Sequence, residues 1–126
     1  MIVTPIYGGL AALIFALLSF RVIQLRRATK IGLGFGDNLG LQRAIRAHGN
    51  FAEYVPFILL LMAFAEFQSV PIWRIHLIGI LLMAGRIIHV VDVLRESEPP
   101  RLRVAGIALT LTALIAAGLT NLAGAL

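Results

Sequence analysis

The chain has 126 residues, 60% of them apolar and 13% charged, with 11 Lys and Arg against 6 Asp and Glu and a formal net charge of +5. A soluble domain carries about a quarter charged residues and at this size buries only about two-thirds of its surface, so a water-soluble fold is excluded and one lipid-embedded domain is expected. There is no cysteine, which removes disulfides, thiolate metal sites and a cysteine nucleophile.

About 20 apolar residues span the roughly 30 Å hydrocarbon layer, and four stretches reach or approach that length. The first, residues 5–28, lies in MIVTPIYGGLAALIFALLSF and its continuation. That segment has no positively charged start and no small-residue cleavage site, so it is expected to stay as a helix rather than act as a signal peptide. The basic cluster Arg21, Arg26, Arg27 and Lys30 lies at its end. The following IGLGFGDNLG carries Gly32, Gly34, Gly36 and Gly40 and predicts a loop. The second helix, 41–67, is polar for about three turns (QRAIRAHGN) and then apolar (FAEYVPFILLLMAFAEF), with Pro56 predicting a kink. The third, 72–94, follows the turn at Ser69, Val70 and Pro71, and the fourth, 102–125, follows RESEPP.

Backbone groups in hydrocarbon must be satisfied within their own segment, so all four stretches are read as helices. The expected fold is an all-α membrane protein, a four-transmembrane-helix bundle of up-down topology in one domain. Small residues on the fourth helix, among them Ala105, Gly106, Ala116, Ala117, Gly118, Ala123 and Gly124, suit close helix packing. Ten of the eleven basic residues fall near the first or third connection, leaving only Arg74 at the other end. The positive-inside rule then places both connections in the cytoplasm and both termini outside.

Charges at membrane depth cost about 2.5–3.5 kcal/mol or more each, so they are usually paired or functional. On the second helix Arg43, Arg46, Asn50 and Glu53 recur at spacings of three and four and share one stripe, with Tyr54 at its edge and His48 away from it. On the third, Arg86 and His89 share a face that Val93 continues, while Asp92 points elsewhere. The plain readings are an internal Arg46–Glu53 ion pair, a packing role for His89, and a headgroup anchor for the first-helix cluster. Glu66 and Arg74 read as interfacial residues without a function. One arrangement uses the buried polar residues together, a pocket for a small polyanion at the cytoplasmic helix ends. Guanidinium forks match carboxylates in two-point geometry and Glu53 is left for an ammonium, so a ligand with two carboxylates and one amine fits.

At RAIRAHGNFAEYVP, residues 43–56, the chain resembles the MAPEG superfamily, the membrane-associated proteins of eicosanoid and glutathione metabolism. The pattern is carried by Arg46, His48, Asn50, Glu53, Tyr54 and Pro56, supported by Arg26 and Arg27 and by RIIHVVDVLRESEPPR from Arg86 to Arg101. The resemblance implies a homotrimer in a bacterial inner membrane, with glutathione bound as co-substrate between neighbouring subunits near the cytoplasmic face. Carried over position by position, Arg26, Arg46, His48, Asn50, Glu53, Tyr54, Arg86 and Arg101 are its binding candidates. Arg101 would stabilise the thiolate, with Arg103 as the nearby rival. The implied reaction is thiolate attack on a lipophilic electrophile that arrives through the bilayer, with glutathione peroxidase activity as a variant of the same chemistry. Relatives commonly carry a tyrosine seven residues after the third-helix arginine; here that position is Val93.

The alternative is a non-catalytic lipid- or glutathione-binding protein of the same fold. A small drug exporter would want an acidic residue in the first helix, which has none. Basic residues without interleaved aromatics do not make a nucleic-acid surface, so no nucleic-acid partner is expected. No metal is expected either, since His76 falls near the opposite membrane face from His48 and His89.

Overall fold

The computed structural model describes residues 2–95 and 101–126. They form four helices, α1 (Val3–Thr29), α2 (Leu39–Phe67), α3 (Ile72–Arg95) and α4 (Arg101–Ala125), where the sequence predicts 5–28, 41–67, 72–94 and 102–125. At 1.5 Å per residue even the 24 residues of α3 exceed the hydrocarbon thickness. All four have the length and apolarity to cross a membrane. The chain is an all-α membrane protein built as an up-down four-helix bundle.

Local chemistry sets the helix ends. Pro5, in the first turn of α1, forfeits an N–H that has no intrahelical acceptor there. The other first-turn N–H groups meet a distant carboxylate: Glu66 Oε1 accepts from Ile2 and from Val3 at 2.8 Å, and Oε2 accepts from Thr4 at 2.8 Å. Glu66, read from sequence as interfacial and without a role, therefore caps a helix more than sixty residues away and complements its positive end. At the other end Lys30 adopts a left-handed conformation, φ 57°. Gly34 and Gly36 do the same in the loop, φ 64° and 55°, where a side chain would be strained. Asn38 caps α2, its Oδ1 accepting from Leu41 N–H at 2.8 Å. The helix then runs unbroken through Pro56.

The middle of the bundle is the pair α2 and α3; α1 packs on both of them, α4 packs on both, and no contact between α1 and α4 occurs among the described residues. The core holds Leu18 of α1, Phe51, Ile58 and Met62 of α2, Ile75 and Leu82 of α3, and Ala113 and Ala117 of α4. Leu13, Leu17, Phe20, Phe57, Ile80, Ile115 and Leu119 are exposed, as expected of a surface whose solvent is lipid or a neighbouring subunit.

The tightest contact is between α3 and α4, where two glycines let the backbones touch. A Cβ on Gly106 would lie 2.7 Å from the Gly85 carbonyl oxygen and 2.8 Å from the His89 backbone nitrogen, and neither backbone atom can turn aside. Gly106→Ala is therefore expected to destabilise the protein by about 1–3 kcal/mol, read from the thermal unfolding midpoint in detergent. Gly118→Ala, whose Cβ would have open space around it, should be neutral or slightly stabilising.

Candidate functional site

At the basic end, a cavity of about 240 Å³ opens between α2, α3 and α4. Arg43, Arg46 and Asn50 line it from α2, their three-and-four spacing putting them one above another on a single face. His89 and Val93 line it from α3 and Arg103 from α4, with Ala47 and Ile107 filling the remaining wall. The sequence brings three guanidiniums to one hole, and an anion is the natural occupant.

Behind Asn50 sits Arg86, 1% exposed. Its Nη1 donates to Asn50 Oδ1 at 2.5 Å on α2 and its Nε to Thr110 Oγ1 at 2.9 Å on α4. The guanidinium carbon lies 5.9 Å from the centroid of the Tyr54 ring, within reach of a cation–π attraction. Thr110 in turn donates to the Gly106 carbonyl at 2.9 Å. One charge thus ties three helices together and fixes how Asn50 faces the cavity. Arg86 Nη2 is buried without an acceptor among the described residues.

Asp92 lies off the Arg86–His89 face, as its helical position suggests, and there it meets α4. It is 1% exposed, and its Oδ2 accepts from Arg103 Nε at 3.3 Å. Held by Nε, Arg103 directs the remainder of its fork toward the cavity, and its Nη2 is likewise buried without an acceptor among the described residues. His89 is 4% exposed. Its Nδ1 is buried and unpartnered there too, which does not suit a satisfied packing histidine. Leaving a buried polar group unmet costs about 1–3 kcal/mol. Three such groups at or beside one cavity point to a ligand that completes them.

The structure does not gather every candidate. Arg46 and Asn50 line the cavity, and Arg86 and Tyr54 stand behind it. Arg101 is exposed at the first residue of α4, about 200° around the helix from Arg103. Glu53 is exposed on α2 and is not paired with Arg46 among the described residues. Arg26 braces the first loop, its Nη1 donating to the carbonyls of Ile31 at 3.2 Å and Gly34 at 2.9 Å. His48 turns the other way, to α1: its Nε2 lies 3.1 Å from Ser19 Oγ and its ring stacks on Phe15 at 4.6 Å. That ring borders a second feature, an apolar groove of about 320 Å³ between α1 and α2, lined by Phe15, Phe51, Val55 and Pro56 among others. The groove lies on the opposite side of α2 from the arginines, so one subunit does not bring the two spaces together.

Sequence reasoning singles out Arg46, Asn50 and Arg86 for this site, and misses Asp92, Thr110 and the exposure of His89 to the cavity. Thr110 carries no signal in an apolar helix rich in threonine. Asp92 and Arg103 lie on either side of the connection between α3 and α4, and the period of either helix alone does not fix how the two face one another.

The sequence matches the MAPEG family over residues 4–123. It is similar to a protein of Escherichia coli strain K12 described as "Inner membrane protein YecN", at 41% identity over 87 residues, 69% of this chain and 66% of that protein. The protein of the same description from Escherichia coli O6:H1 strain CFT073 matches to the same extent, 41% over 87 residues. The chain thus spans just under two-thirds of the length of these relatives.

Thr110→Val keeps the side-chain shape and removes the acceptor for Arg86 Nε, leaving a buried charged donor unmet. It is expected to destabilise by about 1–3 kcal/mol, measured by thermal unfolding in detergent. Thr112→Val, on the exposed face of the same helix, should be close to neutral.

Proposed function

The chain belongs to the MAPEG family, and from that membership we propose that it is a glutathione transferase of a bacterial inner membrane. In this reading it works as a homotrimer, with both termini outside and the arginine cavity at the cytoplasmic face. The observation that carries the reading is the cavity itself: Arg43, Arg46 and Arg103 around one hole, with buried N–H groups of Arg86 and Arg103 lacking acceptors among the described residues. Glutathione brings two carboxylates, and a carboxylate accepting from a guanidinium forms the strongest class of hydrogen bond a protein offers.

The subunit's cavity is smaller than the roughly 300–1,000 Å³ typical of small-molecule sites, so it holds part of the tripeptide. A neighbouring subunit would supply the rest. Arg101, Glu53, His48 and Arg26, which lie outside this cavity, are the candidates to act across that boundary. Glu53 would take the ammonium and Arg101 the sulfur. The apolar groove beside Phe15 and Phe51 of a neighbour would admit the electrophile from the bilayer.

In the reaction the S–H bond breaks, the proton leaves to water at the open end of the cavity, and the electron pair stays on sulfur. A thiol with an unperturbed pKa near 8.5 needs about 2.7 kcal/mol of thiolate stabilisation to be half-ionised two pH units lower. One guanidinium in a partly dry site supplies that. His89, with a ring nitrogen unmet among the described residues and its side chain on the cavity wall, adds a hydrogen-bonding group. The thiolate then attacks the electrophile, whose leaving group departs or whose double bond accepts the electron pair.

A second reading, a lipid- or glutathione-binding protein without catalysis, is favoured by one observation. Val93 is buried in the cavity wall and offers no hydroxyl where related proteins commonly have a tyrosine.

The test is thiolate absorbance and glutathione binding on detergent-purified protein. Wild type is expected to bind glutathione as the thiolate near neutral pH. Arg103→Ala should weaken binding by about 10–100-fold, the worth of a charge-assisted hydrogen bond, and Arg101→Ala should retain binding while losing the thiolate signal. The reverse pattern transfers the thiolate to Arg103. Binding by wild type with no thiolate signal selects the non-catalytic reading, and no binding at all sinks the transferase.

A further inference from the structure

At the end opposite the arginines, α3 and α4 flank a second groove of about 330 Å³, walled by Leu77 of α3 and by Ala116, Leu119 and Ala123 of α4. Arg74 and Trp73 line it at the start of α3. Arg74 is the one basic residue at this end of a chain that has 11, and its guanidinium carbon sits 5.4 Å from the centroid of the Trp73 ring. That stacking holds the charge beside the groove rather than leaving it free in solvent.

Acidic side chains are scarce at this end. Of the 6 acidic residues in the sequence only Glu66 lies here, and both its oxygens are committed to the backbone of Ile2, Val3 and Thr4. No carboxylate faces Arg74 among the described residues. An interfacial arginine so placed meets the phosphate level of the membrane, and the N-terminal end of α3 adds partial positive charge beside it. The groove continues from there into the apolar layer. Ala116 and Ala123, two turns apart, leave it open along about 10 Å of α4, roughly two-thirds of one leaflet's 15 Å.

We propose that this groove is a binding site for one anionic phospholipid, with the headgroup phosphodiester on Arg74 and one acyl chain lying along α4 between Ala123 and Ala116. The pairing of one charge at the phosphate level with a groove running into the apolar layer matches a phospholipid's charged head and acyl chain, and a second copy in the groove is the outcome the oligomer readout detects. The seated lipid would clamp α3 to α4 at the end away from the Gly85–Gly106 contact. The site is independent of the arginine cavity and of the transferase reading.

Native mass spectrometry of the full chain in detergent tests this, with phosphatidylglycerol as probe and diacylglycerol of the same acyl chains as control. Wild type should retain one phosphatidylglycerol per chain and bind the diacylglycerol at least about tenfold more weakly. Arg74→Gln should lose about tenfold in phosphatidylglycerol affinity, Arg74→Lys should recover part of it, and Ala123→Leu should block the site with Arg74 in place. Unfolding midpoints without lipid show whether each variant is folded; Arg74→Gln alters only a surface side chain and carries the test if Ala123→Leu does not fold. Phosphatidylglycerol binding unchanged in Arg74→Gln overturns the proposal. So does a change in the number of chains per complex in Ala123→Leu at unchanged lipid occupancy, which would make the groove an interface between copies.

Discussion

Arg86 carries a full positive charge at 1% exposure, between three helices and at a depth where an unpaired ion costs several kcal/mol. Its acceptors come from two other helices, Asn50 on α2 and Thr110 on α4, and the Tyr54 ring lies within reach of its face. Because a guanidinium is planar and its donors point in fixed directions, satisfying it fixes the relative rotation of α2, α3 and α4. Thr110 reaches it because the helices approach closely at Gly85 and Gly106. Small residues without function in themselves are thus required for the polar centre. The same requirement orients Asn50, and through it the wall of the arginine cavity. Asp92 acts likewise nearly two turns further toward the basic end, aiming Arg103.

The four helices are legible in the sequence because hydrocarbon thickness sets a length and hydropathy marks it, and both are local properties. The α2 stripe was legible for a similar reason: Arg43, Arg46 and Asn50 need only the helical period to share a face. What periodicity does not supply is the neighbour. Asp92 falls off the Arg86–His89 face on α3, yet α4 lies where it points, and α4 brings Arg103. Glu66 looks like a stray interfacial acid until the start of α1 is seen beside it. His48 and Arg26, carried to the site by family resemblance, are placed in a single subunit on Ser19 and on the first loop. In the proposed function their route to glutathione crosses a subunit boundary, and a neighbour's position is not written in the period of any one helix.

The two ends of the bundle are chemically unlike. One gathers guanidiniums around a cavity whose unmet donors call for a carboxylate. The other isolates Arg74 beside an apolar groove at the level of lipid phosphate, its local acid already spent on capping α1. Both follow from one rule, that a charge at or near hydrocarbon must find a partner. Arg86, Arg103 and Arg74 differ in how much of that partner the chain itself provides. The apolar groove between α1 and α2 adds a third space, divided from the arginine cavity by α2 itself, and this division is why the proposed chemistry needs more than one subunit.

In the proposed function the arginine cavity holds glutathione by its carboxylates. This is tested most directly by calorimetric binding of glutathione against its diethyl ester, which keeps the thiol and the amine and masks both carboxylates. The ester is expected to bind at least about tenfold more weakly, since it forfeits charge-assisted bonds worth about 1.5–3 kcal/mol each. Equal affinity for the two would contradict it.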